Sequence, residues 1–148
     1  MNKSLVLLAT AGSAAMLLGA FGFQYLGDLA PCKMCIWQRW PHGIAVVAGV
    51  LALALGARAF AVVGALGALT TSAIGFFHAG VEQKFWEGPT SCTSSGALTQ
   101  SLEDLLSAPL VRCDEIPWEL FSISMAGWNG IISLGIFAIW VMALRSRT

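Results

Sequence analysis

From Leu5 to Leu26 the chain carries no charged side chain, and three further apolar runs follow: Ile44 to Ala57, Ala59 to about Val81, and about Ile123 to Leu144. As a helix, about 20 apolar residues cross the roughly 30 Å hydrocarbon core of a bilayer. The first, third and fourth runs reach that length. The second does so only if its helix begins upstream, near Ile36, inside the stretch APCKMCIWQRWPHG. Charged residues make up 11% of the chain and hydrophobic ones 57%, whereas a soluble domain carries about 25% charged residues. Most of the surface must therefore face lipid. The first run outlasts the apolar core of a secretory signal, about 7–15 residues, and reads as a retained helix. The sequence thus predicts an all-α membrane protein, one integral membrane domain over residues 1–148. It is expected to be a four-helix transmembrane bundle with spans at about 5–26, 36–57, 59–81 and 123–144, and a long outer loop at about 82–122.

With four spans the loops alternate sides. Lys3, Arg58, Arg145 and Arg147 fall on one side, and Lys33, Arg39, Lys84 and Arg112 on the other, so the basic count ties. Most of the first group flank helix ends in very short segments, which by the positive-inside rule points to cytoplasmic termini and four outward-facing cysteines. In the outer loop Leu98, Leu102, Leu105 and Leu106 line one helical face that ends at Pro109. This pattern predicts a short amphipathic helix, lying on the membrane surface or packed on the bundle end. In the third span Gly64, Ala68 and Ser72 recur every fourth residue, a small-residue face that lets helices pack closely in lipid. The formal net charge is zero and no basic tract occurs, so nucleic acid is not an expected partner, and membrane lipid is.

Cys32 and Cys35 form a C-x-x-C, and Cys92 and Cys113 flank the short amphipathic segment. Three chemistries fit four cysteines. Structural zinc commonly uses two closely spaced pairs, and only the first pair is spaced that way, so no metal is assigned; a thiol-rich metal-binding protein stays as the alternative. Structural disulfides are a second reading, but a C-x-x-C bridge closes too small a loop to constrain the unfolded chain much. Redox exchange fits better. Pro31 suits the first position of a helix, which puts both sulfurs where free N–H groups and the helix dipole favour thiolate. Arg39 follows Cys35 by four residues, on the same helical face, where it favours anionic sulfur and can hydrogen-bond an acceptor oxygen; snorkelling to the headgroups is its bland reading. Pro41 breaks a helical hydrogen bond and is expected to bend the helix just inside the membrane. His42 and His78 are ionisable residues at membrane positions, functional candidates with interfacial hydrogen bonding as the plainer role. Trp37, Trp40, Phe76 and Phe77 fit an interfacial aromatic belt.

The segments PCKMCIWQRWPH, FFHAGVEQKFWEGPTSC and CDEIPWELFSISMAGWN resemble the disulfide bond formation protein B (DsbB) family of bacterial inner-membrane enzymes, and the resemblance covers essentially the whole chain. It implies a quinone-dependent thiol oxidase, with ubiquinone or menaquinone as cofactor, that reoxidises a periplasmic thioredoxin-fold, DsbA-like dithiol oxidase. It further implies a relay. Cys92 and Cys113 form the loop disulfide, which the partner attacks at Cys92. The freed Cys113 attacks Cys32, and Cys35, left as thiolate beside Arg39, passes electrons to quinone. Arg39, His42 and His78 are the expected quinone or proton contacts. The stretch between Cys92 and Cys113 is shorter than in the best-known members, which leaves room for a specialised paralogue serving a different partner.

Overall fold

The computed structural model describes residues 1–89, 92 and 111–146. The expected amphipathic helix with Leu98, Leu102, Leu105 and Leu106 lies outside the described residues. Within them the chain forms α1 (Lys3–Tyr25), α2 (Lys33–Leu55), α3 (Arg58–Glu82), a short antiparallel hairpin of β1 (Glu119–Leu120) and β2 (Ile123–Ser124), and α4 (Met125–Arg145). Three helices, α1, α3 and α4, are long and apolar enough to cross a membrane. The remaining helix, α2, has 23 residues, about 35 Å at 1.5 Å per residue, and carries Lys33 and Arg39 at its polar end.

Local chemistry sets the helix ends. The Asn2 side chain caps α1 by accepting from the Ser4 and Leu5 N–H groups at 3.0 and 3.3 Å. Gly56, at φ +67°, ends α2 in the left-handed conformation open to glycine. The Ser124 hydroxyl caps α4, accepting from the Gly127 N–H at 3.1 Å. The fourth apolar run therefore enters its helix only at Met125, because Ile123 and Ser124 pair back on Leu120 and Glu119. The turn between the strands holds Phe121 and Ser122 at φ 53° and 60°, the positive pair a two-residue hairpin needs.

The helices pack in ring order: α3 lies against α2 and α4, α1 lies against α2 and α4, and α1 barely touches α3. Both termini meet at one end, where the Asn2 N–H donates to the Ala143 carbonyl at 3.3 Å and to Ser146 Oγ at 3.0 Å. Arg58, at the start of α3, donates to the Leu144 carbonyl there. Small residues make this end dense. A Cβ on Gly64 would come 2.6 Å from Trp140 Cζ2; the close approach of α3 and α4 continues toward the other end, where one on Gly75 would come 2.7 Å from the Gly130 nitrogen. Trp140, Val6, Ala52 and Ala68 are fully buried in that core. All four cysteines gather at the opposite end.

Candidate active site

Cys32 is the residue on which α2 starts. Its sulfur stands where a capping oxygen usually stands and accepts from the Cys35 backbone N–H at 3.1 Å. Both sulfurs of the C-x-x-C are free thiols, whereas Cys92 and Cys113 are joined in a disulfide. Cys32, Cys92 and Cys113 are buried together with Met34 and Val81, and Cys35 packs against them. The two pairs, 57 residues apart at their nearest members, thus share one apolar cluster. An ionic tie beside Cys113 fastens the returning chain. Asp114 takes two hydrogen bonds from Arg112, at 2.9 and 2.8 Å, and one from Lys84 at 2.6 Å. Arg112, and after it Lys84, hold the Asp114 carboxyl well below the usual carboxylate range.

His78 reaches the same cluster from α3. Its Nε2 is 3.7 Å from the Cys32 sulfur, 3.1 Å from the Cys113 carbonyl oxygen and 3.8 Å from Glu82 Oε1. Its Nδ1 is 2.9 Å from Gln38 Nε2. The Asn129 side chain joins Gln38, at 2.6 Å, to His42, at 3.0 Å. Cys32, Cys35 and His78 line a cleft of about 260 Å³ that Asp28, Arg112 and Glu115 also border.

A larger and mainly apolar cavity of about 380 Å³ opens beside this cleft, between α1, α2 and α4, with His78 and Glu82 of α3 at its edge. Cys35 lines both. The segment leading into the hairpin roofs the cavity, with Trp118 packed on Phe23 of α1 at 5.1 Å between ring centroids. Arg39 enters from α2. It donates to Gln24 Oε1 at 2.5 Å and to the Ala20 carbonyl at 3.3 Å, and its guanidinium lies 5.0 Å from the Phe21 ring centroid. Arg39 Nε, His42 Nδ1 and Glu82 Oε2 are buried without a hydrogen-bond partner, and all three residues line this cavity. Apolar walls with an unused guanidinium N–H, an unused imidazole nitrogen and an unused carboxyl oxygen fit a flat apolar ring bearing carbonyl or hydroxyl oxygens. A quinone has that chemistry.

The structure therefore brings the seven residues singled out from sequence to one end of the bundle. The four cysteines form one cluster, Arg39 and His42 line the cavity, and His78 stands between cluster and cavity with both ring nitrogens engaged. Trp37 and Trp40 are exposed and line neither space. From sequence alone Gln38, Thr71, Glu82 and Asn129 receive no functional role. For Gln38, Thr71 and Asn129 the signal is a polar side chain inside a predicted span, a position that is costly unless it is paired or used; Glu82 sits at the edge of one.

The family model described as "Disulfide bond formation protein DsbB" matches residues 2–143. Among curated relatives, disulfide bond formation protein B of Methylococcus capsulatus is 34% identical over 137 residues, covering 84% of this chain and 83% of the relative. Its namesake in Hahella chejuensis is 25% identical over 166 residues, covering 99% of this chain and 95% of the relative. That of Stutzerimonas stutzeri is 27% identical over 156 residues, covering 97% and 96%. No solved structure matches the chain. A match that runs from the cap of α1 almost to the end of α4 takes in both cysteine pairs and every residue of the cavity, and on it the chain belongs to the DsbB family of disulfide bond formation proteins.

Proposed function

We propose that this chain is a thiol:quinone oxidoreductase of the bacterial inner membrane. All four helices cross the bilayer, the termini are cytoplasmic, and both cysteine pairs face the periplasm. Its electron donor is the dithiol of a thioredoxin-fold, DsbA-like oxidase. The observation that carries this reading is the place of Cys35, which borders both the sulfur cluster and the apolar cavity.

Each transfer is attack of a thiolate on a disulfide sulfur. A partner thiolate attacks Cys92, the Cys92–Cys113 bond breaks, and Cys113 leaves as thiolate. The partner's second thiol then closes its own disulfide and releases Cys92. With the first pair oxidised, Cys113 attacks Cys32, forming Cys32–Cys113 and expelling Cys35 as thiolate. Attack by Cys92 on Cys113 restores the loop disulfide and leaves Cys32 and Cys35 reduced, the distribution of thiols found here. Arg39 places its positive charge beside the cavity that Cys35 lines, and Glu82 and His42 present acceptors where protons must pass. A bound quinone supplies a two-electron, two-proton acceptor when Cys32 and Cys35 rejoin.

The test is turnover of the purified protein with a reduced thioredoxin-fold dithiol partner, followed by quinone absorbance. Cys35→Ala is expected to abolish quinone reduction while the loop disulfide still exchanges with the partner. Unimpaired quinone reduction would remove Cys35 from the route. A second reading, soft-metal binding, rests on the donor atoms of Cys32, Cys35 and His78, which lie within 4.8 Å of one another. About one zinc per chain in purified protein with all thiols reduced favours it.

A further inference from the structure

The buried side chains between the two histidines leave one consistent assignment of hydrogens. A peptide carbonyl only accepts, so the 3.1 Å contact with the Cys113 oxygen puts the proton of neutral His78 on Nε2. His78 Nδ1 is then bare and accepts from Gln38 Nε2 at 2.9 Å. Gln38 Oε1 consequently faces the other way and accepts from Asn129 Nδ2 at 2.6 Å. Asn129 Oδ1 is left to accept from His42 Nε2–H at 3.0 Å and from the Ser133 hydroxyl at 3.3 Å. Thr71 fixes the same orientation independently. Its hydroxyl donates to the Gln38 backbone carbonyl at 3.0 Å, and its oxygen therefore accepts from Asn129 Nδ2 at 3.1 Å. Gln38, His42, Thr71, His78, Asn129 and Ser133 are all buried.

We propose that Gln38 and Asn129 are positioning residues that hold His42 in its Nε2–H tautomer, so that the nitrogen it keeps for an occupant of the apolar cavity, Nδ1, is a hydrogen-bond acceptor. Arg39 Nε, the other unused group on α2, is a donor. The two divide the work of recognition. The arginine takes a carbonyl or oxyanion oxygen, and the histidine takes a hydroxyl and turns a carbonyl away. At His42 the cavity accordingly favours the reduced, hydroxyl-bearing ring over the diketone. The identity of that occupant rests on the quinone reading above; the tautomers do not. The same assignment leaves His78 Nε2 with no lone pair for a cation while Cys113 is docked.

The chain has two histidines, so ¹⁵N-histidine labelling of the full chain in lipid nanodiscs gives two ring systems. Without added quinone, long-range ¹H–¹⁵N correlation is expected to show both rings neutral, protonated at Nε2 and bare at Nδ1. Asn129→Leu removes the acceptor facing His42 Nε2 and leaves the Ser133 hydroxyl free to donate to it. His42 is expected to lose its single tautomer and gain the Nδ1–H form, with His78 unchanged. The quinol-to-quinone affinity ratio is expected to fall about tenfold, the worth of one hydrogen bond. An Nδ1–H His42 in the unaltered protein, a spectrum that needs no variant, overturns the proposal. So does an unmoved His42 in folded Asn129→Leu. Adding ubiquinone or menaquinone to the unaltered protein tests the other reading: if the His42 resonances do not shift, the quinone assignment fails and the tautomers stand.

Discussion

Arg39 spends its two terminal nitrogens on α1, at Gln24 and the Ala20 carbonyl, and keeps Nε for the cavity. A lysine retains the charge and cannot fill three directions from one planar group. Arg39→Lys is therefore expected to fold normally and raise the quinone KM about tenfold, equivalent to about 1.4 kcal/mol, with a smaller change in kcat. Steady-state kinetics at varied quinone concentration measure it, and an unchanged KM removes Nε from the binding. Residues of this kind are legible in the sequence because their chemistry is specific before any fold exists: a C-x-x-C, two more cysteines, a cation one turn on. Gln38 and Asn129 are legible only as polar side chains within apolar spans, and their roles are not. An amide has no reactivity of its own, and its meaning comes from what its two ends face. His78 is half legible. Its place near the outer end of α3 follows from the apolar run, but its partner is a backbone carbonyl 35 residues away, which no side-chain pattern encodes.

Among the elements, the loop that returns to α4 is where geometry departs most from pattern. The hairpin of β1 and β2 has two residues in each strand, too few for an alternation to register, and its turn lacks the glycine or asparagine that usually betrays one. Here Phe121 and Ser122 accept the left-handed conformation because Trp118 and Trp128 fasten the flanks: the Met125 N–H donates to the Trp118 carbonyl at 3.2 Å, and Trp128 Nε1 donates to the Leu120 carbonyl at 3.1 Å. The tie at Asp114 has a similar role for the disulfide. It joins the turn bearing Cys113 to Lys84, just past α3. Exposed ion pairs of this kind contribute about 0.2–1 kcal/mol, so Asp114→Asn is expected to speed reduction of Cys92–Cys113 by a phosphine roughly two- to fivefold. Acid does the same. A carboxyl whose native pKa is lowered stabilises the docked loop fully above its free value of about 3.9, and that contribution is lost as pH falls from there through the lowered native value. In phosphine reduction below pH 4, the unaltered protein should approach the Asp114→Asn rate. Parallel profiles with a constant gap would show that the tie does not hold the loop.

At the scale of the molecule, the two ends of the bundle are built on opposite terms. The end holding the termini is close-packed where Gly64 meets the Trp140 ring and Ala68 is fully buried, and the small-residue face of α3, legible in the fourfold spacing of Gly64, Ala68 and Ser72, continues past mid-membrane, where the Ser72 hydroxyl donates to the Gly130 carbonyl at 2.8 Å. The other end is left open between α1, α2 and α4, where the cavity lies. No periodicity announces that gap. It is a property of four helices taken together, and it gives the cavity its apolar walls beside a reactive sulfur. The division makes a prediction about independence. At Gly64 even a Cβ falls 2.6 Å from the indole, and overpacking of this kind costs about 1–3 kcal/mol. Gly64→Val should lower the midpoint of unfolding in mixed detergent micelles, while Gly135→Ala, where a Cβ meets nothing within 4 Å, should leave it nearly unchanged. Below the unfolding transition, Gly64→Val should still bind quinone with the KM of the unaltered protein, because the strain sits at the end of the bundle away from Cys35 and Arg39. A raised KM in the folded variant would mean that packing at the terminal end sets the width of the cavity, and that the two ends act as one unit.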